Sequence, residues 1–391
     1  MAELVLKGIR IADLSTVVAG PYCSLLLSSL GAEVIRISNP EKDDTIRAGN
    51  PVRYNSVNMN RYDIAIDLKD PEGLELVKKI VKMSDVVVNN FRPGVMDRLG
   101  LGYAVLREIK PDIIVVSSSG FGATGPDRTY TGYASNFAAA SGLSSIIGYK
   151  DGLPNEERSP SDFRSGQVMA LTVMAGLLYR KRTGKGQHID LSMTEVQSCG
   201  IGDVIMDYII NGRVAMPKGN LDDFMAPHNC YRCKGEDKWV SIAVGSDEEW
   251  RRFCLAIGNP EWISGEKFID AMSRWKNQDE LDRRITEWTK SREHYEVMQV
   301  LQAAGIAAMP SFNSAEILND PHYKEREYVE EVVYAGEKQL VLGIPFKLSK
   351  TPTDVYHPAP QWGEHTDYVC RNILSMSDKE IDRLRQNGTI K

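Results

Sequence analysis

The sequence contains no apolar run long enough to cross a membrane, no internal repeat and no low-complexity tract. A helical membrane protein is thereby excluded, as are solenoid and fibrous architectures. Excess positive charge is also missing. With 47 Lys and Arg against 53 Asp and Glu the net charge is −6, which argues against a general nucleic-acid or membrane-surface role. The start, Met-Ala-Glu-Leu-Val-Leu-Lys, lacks the basic-then-apolar order of a secretory signal, so a cytoplasmic protein is expected. Cysteine is sparse: the six residues Cys23, Cys199, Cys230, Cys233, Cys254 and Cys370 do not make a disulfide framework in so long a chain. His228-Asn-Cys230-Tyr-Arg-Cys233 resembles half of a metal or redox site, but no second cysteine pair completes a zinc set, and no metal is expected.

What is present is enough apolar residue, 42% of 391, to bury a large core, and at this length two domains are expected rather than one. The first 120 or so residues alternate strand and helix patterns. Ile9 to Leu14, Glu33 to Ile37, Ile64 to Asp67, Asp85 to Val88 and Asp112 to Val116 read as strands. Pro21 to Leu30 and Pro71 to Met83 read as helices, the first closed by Gly31. This alternation predicts an α/β fold of right-handed βαβ units on a mostly parallel sheet, with ligands at the C-terminal strand ends. Gln187 to Ser192 reads as a further strand and Thr194 to Ile210 as one helix, before a loop over Met216 to Pro227. Beyond it come a strand over Trp239 to Val244 and helices near Asp247 to Ile257, Gln278 to Thr289 and Tyr295 to Ala304. The last helix is introduced by a capping box, Ser377-Asp-Lys-Glu380, and ended by Gly388.

The segment Ser159-Pro-Ser-Asp162-Phe-Arg-Ser-Gly166 places one carboxylate at the mouth of a helix that is apolar on nearly every side until Arg180-Lys-Arg182. Unpaired backbone N–H groups in a first helical turn accept an anion, so Asp162 satisfies the demands of a helix cap. The same amide dipoles would keep a carboxylate ionised in a partly dry site, which is what a preformed nucleophile requires. The two roles do not exclude each other.

Gly120-Phe-Gly122-Ala-Thr-Gly125 follows a strand and matches the dinucleotide fingerprint, but no apolar helix comes next and the first βα turn lies far upstream. Close backbone approach is the better reading of these glycines. Arg36, Asn60-Arg61, Asn89-Asn90-Phe91-Arg92-Pro93-Gly94 and Arg98 gather near strand ends. Such a set suits a polyphosphate, because guanidinium forks match phosphate oxygens; scattered surface ion pairs are the other reading.

Together these pieces resemble the class III CoA-transferases, the family of formyl-CoA transferase, carnitine CoA-transferase and bile-acid CoA-transferase that also includes 2-methylacyl-CoA racemases. The resemblance runs from Ala19-Gly-Pro21 and Leu30-Gly-Ala-Glu-Val-Ile-Arg36 through Asn60-Arg61, Asp67-Leu-Lys69, Asn90-Phe-Arg-Pro-Gly94 and Arg98-Leu-Gly100. It continues with Ser119-Gly-Phe-Gly122, Gly125-Pro126, Arg182-Thr-Gly-Lys-Gly-Gln187 and Gly363-Glu-His-Thr-Asp367. It implies CoA transfer from an acyl-CoA thioester to a free carboxylic acid through covalent aspartyl intermediates, with Asp162 as nucleophile. CoA and acyl-CoA enter as substrates and no cofactor is tightly bound. By the same matching, CoA contacts are expected at Val18, Ala19, Arg36, Asn60, Arg61, Asn90, Phe91, Arg98, Tyr133 and Ala134.

The implied fold is a large Rossmann-like domain from 1–215 together with 330–391, a smaller α+β domain over 226–325, and linkers near 216–225 and 326–330. Two such chains interlock as a dimer in the family, and some relatives pair two different subunits. A racemase would need a Gly-His-Asp motif where this sequence has Gly132-Tyr133-Ala134, so transfer is favoured over racemisation or epimerisation. A CoA-binding partner subunit is the third reading, and the presence of Asp162 speaks for the active one. Met206, Tyr208, Met216 and Met225 are candidates for an apolar acyl pocket, or for core.

Overall fold

A computed structural model describes residues 4–149, 151–153, 160–353 and 357–391. Two compact units emerge. The first takes Met1–Ser145, Asn155–Ala215 and Pro321–Lys391; the second takes Ile146–Pro154 and Met216–Asp320.

The first unit opens with β1 (Arg10–Asp13), α1 (Ala19–Ser29), β2 (Glu33–Ser38), α2 (Thr45–Gly49), α3 (Pro51–Asn58), β3 (Tyr62–Ala65) and α4 (Pro71–Lys82). It continues with β4 (Val86–Asn89), α5 (Val95–Arg98), α6 (Tyr103–Ile109), β5 (Ile114–Ser119), α7 (Ala134–Ala140), α8 (Pro160–Thr183), β6 (Gln187–Ser192), α9 (Met193–Ser198) and α10 (Gly202–Asn211). The six strands form one sheet, ordered β3-β2-β1-β4-β5-β6, and every pairing is parallel. That order reverses between β1 and β4, which defines a crevice beyond their C-terminal ends.

Successive side chains of a strand point to opposite faces, and both faces here are apolar, as a parallel sheet demands. Ala12, Ile35, Val87 and Val115 pack on one side with Leu76, Val77 and Ile80 of α4 and Leu106 of α6. Ile11, Val34, Val88 and Val116 pack on the other with Leu26 and Leu27 of α1 and Met169 and Val173 of α8.

The second unit is an antiparallel sheet of β7 (His228–Arg232), β8 (Trp239–Ala243) and β9 (Ala307–Pro310). Its helices are α11 (Asp247–Ala256), α12 (Ala271–Lys276), α13 (Gln278–Thr289), α14 (His294–Ala303) and α15 (Ser314–Asn319). Val240, Ile242, Phe253, Leu281, Ile285 and Val297 build its core.

The chain then returns to the first unit with α16 (Pro321–Glu325), the hairpin β10 (Val329–Tyr334) and β11 (Glu337–Leu342), α17 (Thr366–Tyr368) and α18 (Asp378–Gln386). Ser377 and Glu380 form the expected capping box of α18. Backbone bonds from Asp67 to Thr389 and from Lys391 to Ala65 tie the tail to β3.

Two expectations give way. The single helix over Thr194 to Ile210 is broken into α9 and α10 by a 3₁₀ turn at Cys199–Ile201, where Gly200 and Gly202 supply no helix-favouring side chain. Helix α8 is covered on one face only. Ser161, Ser165, Gly166, Met169, Ala170, Val173 and Gly176 are buried, while Leu171 and Leu178 are 67% and 59% exposed.

The covered stripe of α8 carries a glycine at position 166 because α1 approaches closely there. A Cβ at Gly166 would stand 2.7 Å from the Ala19 carbonyl oxygen and 3.2 Å from the Cys23 nitrogen, both backbone atoms that cannot rotate away. Tyr22 and Phe163 meet edge-on at 4.7 Å across the same contact. Gly166→Ala is therefore expected to push α8 off α1 and to cost about 1–3 kcal/mol of stability, read as a lowered unfolding midpoint. An unchanged midpoint would show that the two helices are not held this tightly.

Candidate functional site

The crevice at the strand ends is a cleft of about 730 Å³. Its walls come from Thr16 to Ala19 after β1, Asn90 to Pro93 after β4, Ser118 to Gly120 at the end of β5, Tyr133 to Phe137 at the start of α7, Arg53 of α3, and Asp162.

Each wall has a local cause. Asn90 accepts from the Thr16 N–H at 2.9 Å and donates to the Thr16 carbonyl at 2.7 Å, so one amide clamps the loops that leave β1 and β4. Val17 adopts φ +68°, a left-handed conformation that a β-branched residue rarely holds, immediately before α1 begins. No side chain caps α1 at Val18, and the Val18 and Ala19 side chains are buried.

The glycine motif lies in the loop after β5. A Cβ at Gly120 would meet the Phe137 ring at 2.2 Å, and the Asp190 carboxylate accepts from the Ala123 N–H at 3.0 and 2.9 Å. Close packing against Phe137 is what Gly120 serves, whereas Gly122 and Gly125 hold positive φ, +81° and +82°.

Asp162 lies in the first turn of α8, one helical turn before Gly166; Ser159 and the residues just before it fall outside the described residues. Burial pushes its carboxyl up to about 6, and the Arg53 guanidinium pulls in the opposite direction. The expectation that helix-mouth dipoles hold it well ionised needs adjusting, because desolvation dominates.

The cleft brings together Val18, Ala19, Asn90, Phe91, Tyr133, Ala134 and Asp162, but not the other four expected contacts. Arg36 is 2% exposed and donates to Asp63 at 2.5 Å, Asp44 at 2.9 Å and the Tyr54 hydroxyl at 3.1 Å. Arg61 is 4% exposed; it pairs with Asp13 at 3.1 Å and donates to the Pro21 carbonyl at 2.6 Å and the Val57 carbonyl at 3.2 Å. Asn60 is buried, and its side-chain oxygen accepts from the His357 N–H.

A guanidinium already holding a carboxylate inside the fold has few donors left for a phosphate. Arg36 and Arg61 here fix β1, α1, α3 and β3 together. Arg98 is exposed on α5 and does not line the cleft.

Sequence reasoning passed over Arg53 and Arg128, which do line it beside Arg92. All three are exposed, and among the described residues none forms a close ion pair; Arg53 acts on the Asp162 carboxyl. Arg53 stands in no motif; the Asn50-Pro51 helix start was the available clue to where it would be held. Tyr133 is 79% exposed at the rim, and Ala134 beside it offers no acid or base.

Met206, Tyr208 and Met216 are exposed and Met225 is half-buried in this chain, and none of the four lines the cleft. His228, Cys230 and Cys233 belong to the strand β7 region, both cysteines are free thiols, and among the described residues no cluster of three or more His, Cys, Asp or Glu could hold a metal. No described helix is long and apolar enough to cross a membrane.

A profile of CoA-transferase family III matches residues 6–366. The chain belongs to that family, and it is an acyl-CoA:carboxylate CoA-transferase. It is 30% identical to the succinyl-CoA–L-malate CoA-transferase beta subunit of Chloroflexus aurantiacus, covering 99% of this chain and 98% of the relative. It is 31% identical to the succinyl-CoA–D-citramalate CoA-transferase of the same organism, covering 98% of each. Among solved structures, a CAIB/BAIF family protein from Brucella suis superposes with a TM-score of 0.87 at 28% identity, over 95% of this chain and 99% of that one.

Asp162 gives a test that is independent of turnover. Its folded pKa is raised from 3.8 to about 6, so it costs nothing at low pH, where it is protonated folded or unfolded; the destabilisation builds as pH rises from 3.8 to about 6 and is fully present above that. Asp162→Asn is expected to raise the unfolding midpoint at pH 7.5, by on the order of 2 kcal/mol, with the gain vanishing toward pH 4. A pH-independent difference would mean that the carboxylate is not desolvated.

Proposed function

We propose that Asp162 is the nucleophile of this transferase. Its carboxylate oxygen attacks the thioester carbonyl of the donor acyl-CoA, giving a mixed anhydride and releasing the CoA thiolate. That thiolate attacks the aspartyl carbonyl and expels the donor acid, leaving an aspartyl-CoA thioester. The acceptor carboxylate attacks this thioester, forming a second anhydride and releasing CoA. The thiolate then attacks the acceptor's carbonyl, so the new acyl-CoA departs and Asp162 regains its carboxylate.

The observation that carries this reading is a half-buried carboxylate facing a roomy cleft at the switch point of the sheet. Partial dryness suits an anhydride, which water would destroy. Burial also raises the basicity of the carboxylate while leaving it mostly ionised at neutral pH. Arg92 and Arg128 are the cleft cations we assign to CoA phosphates, and the Val18-Ala19 backbone to the thioester end. The interlocked dimer, or a pairing with a related subunit, belongs to the same proposal. In its favour, Leu171 and Leu178 of α8 and Ile205, Ile209 and Ile210 of α10 leave apolar surface uncovered on one chain; a native mass of a single chain would remove it. A cytoplasmic setting, with reduced thiols, fits the same reading.

The mechanism is tested by mixing the protein with an acyl-CoA, quenching with hydroxylamine and mapping peptides. Succinyl-CoA is the first donor to try, since the relatives above carry it in their names. A hydroxamate at Asp162, absent without donor, is expected. Adduct at another residue, or none from a donor that supports turnover, contradicts the assignment. Because the nucleophile must be ionised, kcat/KM is expected to rise about tenfold per pH unit up to about pH 6 and to level off above it. A flat profile through that range would point to a different attacking group.

A further inference from the structure

We propose that Arg53 is the specificity-determining residue of the cleft, and that it receives the free second carboxylate of the acyl group, so that the substrates are half-thioesters of dicarboxylic acids and the corresponding diacids. The proposal rests on the transfer reading above and adds the class of acyl group.

Four arginines lie between β2 and the start of β3, and they divide sharply. Arg36, Arg47 and Arg61 are buried, and each is ion-paired to an aspartate: Asp63 and Asp44 for Arg36, Asp43 and Asp63 for Arg47, Asp13 for Arg61. Arg53 is exposed and lines the cleft; among the described residues it forms no close ion pair, and the one carboxyl it acts on is that of Asp162. Its backbone is nonetheless fixed. Asn50 caps α3 by accepting from the Arg53 N–H at 2.9 Å, and Pro51 occupies the first helical position. The fold therefore presents an unpaired cation on a short anchored helix at the edge of the reaction site.

Position decides what that cation can meet. Arg53 lines the same cleft as Asp162 and is the charge that acts on its carboxyl, which puts it at the reacting end. When the sulfur of CoA is at Asp162, the pantetheine arm carries the phosphates away from the reacting atoms, and Arg92 and Arg128 of the same cleft remain available to them. The group left beside Arg53 is the acyl chain. A purely apolar chain would displace water from the guanidinium and return nothing, whereas a terminal carboxylate would accept two parallel N–H bonds.

The reaction itself makes the same demand. Asp162 loses its negative charge whenever it becomes an anhydride or a thioester. The cation that faced it would then stand uncompensated in a closing site, unless the substrate brings a carboxylate of its own.

The test compares succinyl-CoA with butyryl-CoA, which has the same chain length but lacks the terminal carboxylate, using one acceptor throughout. The readout is the ratio of their kcat/KM values in the native protein, Arg53→Gln and Arg53→Lys, together with calorimetric binding of succinyl-CoA, butyryl-CoA and CoA. A ratio is used because removing Arg53 also shifts Asp162, and that shift acts on both thioesters alike. The ratio is expected to favour succinyl-CoA and to fall roughly 10- to 100-fold in Arg53→Gln. Arg53→Lys is expected to recover part of it, with no matching change in CoA affinity. An unchanged ratio overturns the proposal, and so does a loss of CoA affinity equal to the loss of succinyl-CoA affinity, which would make Arg53 a phosphate contact.

The two readings fail separately. An Arg53-dependent binding preference without any Asp162 adduct would remove the aspartyl chemistry and keep the carboxylate site. An Asp162 adduct formed with no preference between the thioesters would keep the chemistry and remove the assignment of Arg53.

Discussion

The site depends on how closely α1 and α8 approach. Their backbones come within the distance at which only a hydrogen fits between Gly166 and the Ala19 carbonyl. Val18 and Ala19 open one of these helices, and Asp162 lies in the first turn of the other. One van der Waals contact therefore sets the gap between the carboxylate and the loop that closes the opposite wall of the cleft. The parallel sheet places both helix starts above its C-terminal edge, and the contact at Gly166 sets their spacing. Dispersion at such contacts is small per atom pair, but the interior is too dense for a displaced helix to settle in a second position.

Electrostatics then divides the arginines into two populations. Arg36 and Arg61 have aspartate partners deep in the fold, and breaking such a pair would leave a buried charge uncompensated, at a cost of about 3–5 kcal/mol. They hold the platform on which the cleft stands. Arg53, Arg92 and Arg128 have no such partners among the described residues and face the cleft. The Asp162 carboxylate in the same cleft carries its own tension. Burial lifts its pKa, and Arg53 keeps it within reach of ionisation at neutral pH. A site built this way gives up some stability so that a carboxylate can be both partly dry and charged.

Much of this was legible in the sequence. Apolar runs broken by glycine and acidic caps disclosed the parallel strands, and Gln187–Ser192 falls where the pattern put it. The sequence put Asp162 at the head of a long helix, and it lies in the first turn of α8. The division of the arginines could not be read, because it depends on partners distant along the chain: Arg61 pairs with Asp13, whereas Arg53 forms no close ion pair among the described residues and acts only on the Asp162 carboxyl. Periodicity also misjudged α8, whose apolar residues run all round although this chain covers only one side of them. The hairpin Val329–Tyr334 and Glu337–Leu342 escaped notice because its charged, alternating residues resemble a surface loop until they are paired.

The central claim is that the oxygen atoms of Asp162 enter the reaction. In the proposed sequence the acceptor carboxylate attacks the aspartyl thioester, and one of its oxygens remains on Asp162 when the new acyl-CoA leaves. The direct measurement is turnover with an acceptor labelled with ¹⁸O in its carboxylate, followed by mass analysis of the peptide that contains Asp162. One heavy oxygen on that aspartate after a single turnover, rising toward two with repeated turnover and appearing only when donor acyl-CoA is present, is the result the account predicts. Full turnover with no label on Asp162 would contradict it.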